Sequence, residues 1–208
     1  MRPFARPVLC LSAVLSLAAC NEETPPDVSP YASRAAQDAV GAQIMVAAAD
    51  PRAVEAGLDI LEAGGDAVDA AIAVQTVLGL VEPQSSGIGG GAFMVRYDAA
   101  SREVVVYDGR ETAPAAADEN LFLDAAGEPM TFLDAWVSGK SVGTPGVIAM
   151  LAMAHEEHGS LPWSGGFDAA IIHAETGFSI APRLAEAIRG VSAFSPLDER
   201  PDTRAYFF

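Results

Sequence analysis

The sequence predicts an α+β fold in which helices pack on an antiparallel hairpin. Three observations predict it. Residues 51–80 hold two helical-period segments divided at Gly64-Gly65. Residues 92–98 and 103–108 are two β-rich runs separated by four residues, a hairpin signal. Helical patterning then resumes at residue 147.

In chain order, residues 44–49 (IMVAAA) form a short apolar run, read as a buried strand. Asp50-Pro51 supplies an N-cap followed by an N1 proline. Val54, Leu58 and Leu61 repeat at helical spacing as far as the glycine stop. Asp66 opens a second helix over 67–80. Its apolar residues (Val68, Ala71, Ile72, Val74, Val77, Leu78) cover nearly every face, so it is expected to be buried all round. Residues 82–91 (EPQSSGIGGG) make a Gly-rich turn into the hairpin. Residues 109–142 are irregular. Helices are expected over 147–158, after Gly143-Thr144-Pro145-Gly146, and over 167–175 and 182–188.

The first 20 residues have the shape of a secretory signal: Arg2 and Arg6 without an acid, then an apolar run to Leu17, then Ala18-Ala19-Cys20. That run is shorter than the roughly 20 apolar residues needed to span a bilayer. Leu17-Ala18-Ala19-Cys20 resembles a bacterial lipobox, which implies a signal peptide over 1–19, acylation at Cys20 and a tether over 20–42. The plainer alternative is ordinary cleavage near Ala19. The expected location is the periplasmic side of a bacterial membrane, with the globular part over 43–208. The only other cysteine, Cys10, lies inside the signal, so a disulfide framework and a Cys-based zinc site are excluded.

The chain carries 28 acidic against 12 basic residues, a formal charge of −16. Losing residues 1–19 removes two arginines and no acid, giving −18. Such a balance excludes nucleic acid as a partner, because phosphate backbones require a Lys/Arg surface. An anionic substrate would need a local positive group.

Arg110 is placed to supply one. It follows the second strand in Asp108-Gly109-Arg110-Glu111, and a guanidinium can grip a carboxylate through two parallel N–H···O bonds. On spacing alone, a structural pair with Asp108 or Glu111 is the plainer reading, because an Arg beside acids is commonly a surface pair. The glycines over 87–91 precede a strand and lack a following Lys-Ser/Thr, so they meet neither nucleotide-loop pattern. Ser85-Ser86 reads as turn chemistry. His155 and His158, three apart, could face a metal; the plainer reading is exposed polar residues at a helix C-terminus. His173 reads as a core or surface histidine.

Five segments carry a resemblance: residues 45–50, 56–73 (AGLDILEAGGDAVDAAIA), 82–94 (EPQSSGIGGGAFM), 108–114 (DGRETAP) and 141–149 (SVGTPGVIA). In order and spacing they resemble the gamma-glutamyltransferase (glutathione hydrolase) family of N-terminal nucleophile hydrolases. The resemblance implies a four-layer αββα sandwich and a precursor that cuts itself into large and small subunits. It implies γ-glutamyl substrates such as glutathione, attacked by the small subunit's N-terminal Thr through an acyl-enzyme, with transfer to water or to an amino acid or peptide. It gives Arg110 the α-carboxylate of the γ-glutamyl group, with Asp108 and Glu111 as supporting partners, and implies no metal or organic cofactor. None of Thr24, Thr76, Thr112, Thr131, Thr144, Thr176 and Thr203 follows the family's processing pattern. Residues 43–208 are therefore read as the N-terminal part of the large subunit, expected not to turn over substrate alone. The rival readings are an inactive fragment or pseudoenzyme, and a related acylase acting on a cephalosporin or on poly-γ-glutamate.

Overall fold

The computed structural model describes residues 44–195 and 197–208. The signal, Cys20 and the tether lie outside the described residues.

Helix α1 (Pro51–Glu62) begins as expected: the Asp50 carboxylate accepts the Arg52 N–H at 2.9 Å, with Pro51 at the first helical position. Arg52 also returns its side chain to Asp50, Nη2 to Oδ2 at 2.6 Å, and reaches the Ser179 carbonyl at 2.9 Å. Burial alone would push the Asp50 carboxyl up. The Arg52 hydrogen bonds outweigh it, and the pKa lies below the usual value. That stabilisation is present above the ordinary Asp range and is lost as pH falls through the depressed pKa.

Helix α2 (Ala67–Val81) starts with a capping box. Asp66 accepts from Val68 and Asp69 N–H, and Asp69 accepts the Asp66 N–H. Val68, Ile72, Val77 and Val81 are all within 2 % of full burial, whereas Ala71, Val74 and Leu78 are half-buried, so the helix is not buried all round as expected: its neighbours cover one side more fully than the other. The two helices touch at Gly57, where a Cβ would stand 2.7 Å from a Val74 methyl.

Strands β1 (Ala92–Tyr97) and β2 (Val104–Gly109) pair antiparallel, from Ala92↔Gly109 to Tyr97↔Val104. Helix α4 (Val147–His158) covers one sheet face. There Tyr107, Val147, Met150, Leu151 and Ala154 join Val68 and Ile72 of α2 in one core. The opposite sheet face is apolar but open: Phe93, Val95, Tyr97, Val104 and Val106 are each at least 61 % exposed. Period-two burial normally turns polar residues outward. An apolar outer face is what a strand pair shows inside an αββα sandwich, where a second sheet lies against it.

Several elements differ from expectation. Residues 44–49 form no strand. Val46 and Ala48 are half-buried and Ile44 and Met45 exposed, and no strand among the described residues pairs with them. An apolar run supplies side chains for burial but not a ladder partner, so periodicity alone cannot separate the two outcomes. The irregular stretch contains a short helix, α3 (Phe132–Trp136), capped by Thr131, whose hydroxyl accepts the Asp134 N–H at 3.2 Å. A 3₁₀ turn (Trp163–Phe167) leads into α5 (Asp168–Thr176). Helix α6 (Pro182–Ser192) continues four residues beyond the expected end, through Gly190. A final helix, α7 (Pro201–Phe207), starts at a proline in its first turn.

The buried Tyr107 hydroxyl donates to Glu157 at 2.6 Å. That bond to a carboxylate, and then desolvation, raise the tyrosine pKa. The stabilisation is complete below the ordinary tyrosine value of about 10 and is lost as pH rises through the raised pKa. Thermal melts from about pH 9 to 11 should show an alkaline loss in wild type that Tyr107→Phe lacks.

Candidate active site

Three backbone segments meet where β2 ends. The Gly-rich turn passes under the strand: a Cβ on Gly91 would lie 2.6 Å from the Gly109 carbonyl oxygen and 2.7 Å from Glu111 Oε2. The Gly90 carbonyl accepts the N–H groups of Gly146 and Val147 at 3.1 and 3.2 Å, tying that turn to the start of α4. Thr112 and Thr144 exchange backbone hydrogen bonds at 3.3 and 2.8 Å, so the chain after Arg110 runs beside the chain before α4. A side chain larger than hydrogen at these crossings would displace backbone, which is why glycine recurs there.

Held this way, the strand end presents Arg110 outward. The Asp108 carboxylate accepts the Arg110 backbone N–H at 3.0 Å and fixes the turn. Glu111 Oε2 lies 3.5 Å from the Arg110 Nε. The Arg110 side chain is 71 % exposed, and its two terminal nitrogens make no hydrogen bond among the described residues. The structure thus brings Arg110, Asp108 and Glu111 together, with Asp108 serving the backbone and Glu111 the side chain. The free edge of a guanidinium is the fork that takes a carboxylate in two parallel bonds.

Arg110 borders an open cleft of about 460 Å³, within the size range of small-ligand sites. Its walls include Gly89, Glu111, Phe122, Lys140 and Ser141. Glu111 is the only carboxylate on the lining, against two cations. A chain with formal charge −16 therefore holds a locally positive cleft. Lys140 was not anticipated from the sequence. Its signal was available, because it is the only lysine in the 208 residues.

Gly109→Ala would set its Cβ 2.6 Å from that of Met150 and 3.0 Å from the Gly146 carbonyl oxygen. Overpacking of this kind costs about 1–3 kcal/mol. A lowered melting temperature, read in a thermal melt against wild type, is the expected result.

The remaining candidates fall elsewhere. His155 and His158 are not exposed as expected; both are half-buried. His155 Nε2 is 2.8 Å from the Leu161 carbonyl oxygen and 3.5 Å from Asp69, and the ring stands edge-on to Trp163. His158 packs edge-on against Tyr107 with ring centroids 6.3 Å apart. Tertiary partners from distant segments cover both rings, which helix-terminus reasoning cannot see. Among the described residues no group of three or more His, Cys, Asp or Glu is placed to hold a metal. His173, half-buried on α5, lies near enough to Asp50 to help lower its pKa. Ser85 and Ser86 close a turn onto the Glu82 carbonyl, both at 3.0 Å, and their hydroxyls accept from Arg183 and Gln75.

Comparison with known proteins bears on this geometry. The Gamma-glutamyltranspeptidase family model matches residues 53–208. The glutathione hydrolase proenzyme of Bacillus subtilis (strain 168) is 43 % identical over 149 residues, covering 72 % of this chain and 25 % of that protein. The glutathione hydrolase proenzyme of Escherichia coli (strain K12) is 32 % identical over 185 residues, 87 % of this chain and 32 % of that one. The crystal structure of Helicobacter pylori gamma-glutamyltranspeptidase superposes with a TM-score of 0.71 at 34 % identity, covering 78 % of this chain and 45 % of that chain. The chain spans 25 % of the first of these relatives and 32 % of the second.

Proposed function

Because this chain belongs to the gamma-glutamyltranspeptidase family, we propose that it supplies the α-carboxylate clamp of a glutathione hydrolase and γ-glutamyl transferase. The observation that carries the proposal is Arg110, at a glycine-packed strand end, exposed and lining a positive cleft in an acidic chain. Residues 43–208 are assigned to the N-terminal part of the large subunit. The nucleophilic Thr comes from sequence these 208 residues do not contain, from the small subunit of the same precursor.

In the proposed reaction Arg110 fixes the γ-glutamyl group by its α-carboxylate, and the γ-carbonyl is thereby set at the Thr hydroxyl. The Thr oxygen bonds to that carbon while its proton passes to the Thr α-amine. The C–N bond breaks, and the amine leaves with the proton. Water or a second amine then attacks the ester and regenerates the hydroxyl. The work of this chain is positioning, which lowers the barrier by removing orientational freedom. Export as a lipoprotein acylated at Cys20 belongs to the same proposal and would hold the cleft on the periplasmic side.

The test uses the matured enzyme that contains this segment. It should release glutamate from glutathione. L-Glutamate should compete, whereas γ-aminobutyrate, which lacks the α-carboxylate, should not. Absence of glutamate release, or equal competition by both compounds, would overturn the proposal.

A further inference from the structure

We propose that Lys140 is a specificity-determining residue: it receives a second carboxylate, the one carried by the amine portion that the γ-glutamyl group leaves or joins. The inference rests on the glutathione hydrolase reading and adds a substrate feature to it.

Four observations support it. Lys140 is the only lysine in a chain with 28 acidic residues, and it lies on the same cleft as Arg110. Despite that acidic excess it forms no ion pair among the described residues. Its Nζ donates one hydrogen bond, to the Leu123 carbonyl at 2.8 Å, across from the 3₁₀ turn Gly139–Ser141 that carries it. An ammonium has three donors. One is therefore spent on holding the ammonium against the 121–123 wall, and two remain for a ligand.

The chemistry of the cleft selects the ligand class. A γ-glutamyl peptide has an α-carboxylate at one end and a peptide carboxylate at the other. Arg110 offers a planar fork suited to the first, and Lys140 a point charge suited to the second. The Thr112–Thr144 pairing ties the Arg110 segment to the stretch that follows Lys140, so both cations belong to one wall system. A γ-glutamyl anilide meets only the arginine. A peptide donor, or a peptide acceptor entering as the amine, meets both.

The experiment compares Lys140→Gln and Lys140→Arg with wild type in the matured enzyme. Donors are glutathione, whose leaving peptide carries a carboxylate, and a γ-glutamyl anilide, whose leaving amine carries none. Acceptors are glycylglycine and its C-terminal amide. Losing one charge-assisted hydrogen bond corresponds to roughly a tenfold change. Lys140→Gln should raise KM for glutathione about tenfold while the anilide stays within about twofold, and Lys140→Arg should keep most of the selectivity. A rise for glutathione assigns the contact to the leaving peptide; a rise for glycylglycine and not its amide assigns it to the acceptor. Parallel rises for both donors, with acceptors unaffected, would mark Lys140 as a structural tether to Leu123 and overturn the inference. So would no change with any substrate. A wild-type enzyme that hydrolyses neither donor would instead remove the glutathione hydrolase reading, and this inference with it.

Discussion

Replacing Arg110 with Ala in the matured enzyme should raise KM for γ-glutamyl substrates by about two to three orders of magnitude. Truncating one partner of a desolvated, hydrogen-bonded charge pair costs about 3–5 kcal/mol, and each 1.4 kcal/mol is tenfold. A pair left open to water would contribute only about 0–1 kcal/mol. The Arg110 side chain is 71 % exposed in the described residues, so the size of the effect measures how far the bound ligand and the rest of the enzyme desolvate the guanidinium. Arg110→Lys should recover little, because an ammonium cannot form the two parallel bonds of the fork. Glu111→Gln should give a smaller rise. It removes the charge 3.5 Å from Nε that holds the side chain, while the free edge keeps its donors. An unchanged KM for Arg110→Ala would remove the clamp.

What the sequence made legible was local chemistry, and what it hid was tertiary. Asp50-Pro51 and Asp66 with Asp69 announce helix starts by capping chemistry that needs no distant partner, and both starts form where expected. The hairpin follows from two β-rich runs with a short connection, although the connection is six residues where four were expected, and Arg110 could be placed at the hairpin's end for the same reason. The run over 44–49 misled because an apolar stretch does not specify what hydrogen-bonds to it. Helix α3 was missed although Thr131 and Asp134 form a capping pair, because five residues carry too little periodicity to stand out. The burial of His155 depends on Asp69 and Trp163, and that of His158 on Tyr107. Lys140 belongs to the cleft only because the segments around residues 89, 110–114, 121–122 and 140–143 converge, and no single stretch reveals that.

Asp69→Ala should be strongly destabilising. The carboxylate is 4 % exposed. Its Oδ2 accepts three backbone N–H groups: Asp66 at 2.9 Å, Ser160 at 2.9 Å and Leu161 at 3.3 Å. Its other oxygen faces His155 Nε2 at 3.5 Å, and that nitrogen also lies 2.8 Å from the Leu161 carbonyl oxygen. One side chain thus joins the start of α2, the end of α4 and the turn that follows α4. Removing it leaves buried donors without acceptors, each worth about 1–3 kcal/mol, for a total on the order of 3–5 kcal/mol after relaxation. For a domain of about this size each kcal/mol moves Tm by roughly 2–4 °C, so a fall of about 10 °C is expected. Asp69→Asn keeps one carbonyl acceptor for the backbone donors and should lose about half as much. The change is distinguishable from damage to the clamp. Asp69 acts at the far end of α4 from Gly146, where the helix is tied to the Gly-rich turn and the Arg110 strand end. Below its lowered transition, the variant should bind γ-glutamyl substrates with near wild-type KM, whereas a KM that rises with the loss of stability would mean α4 transmits strain along its length to Arg110.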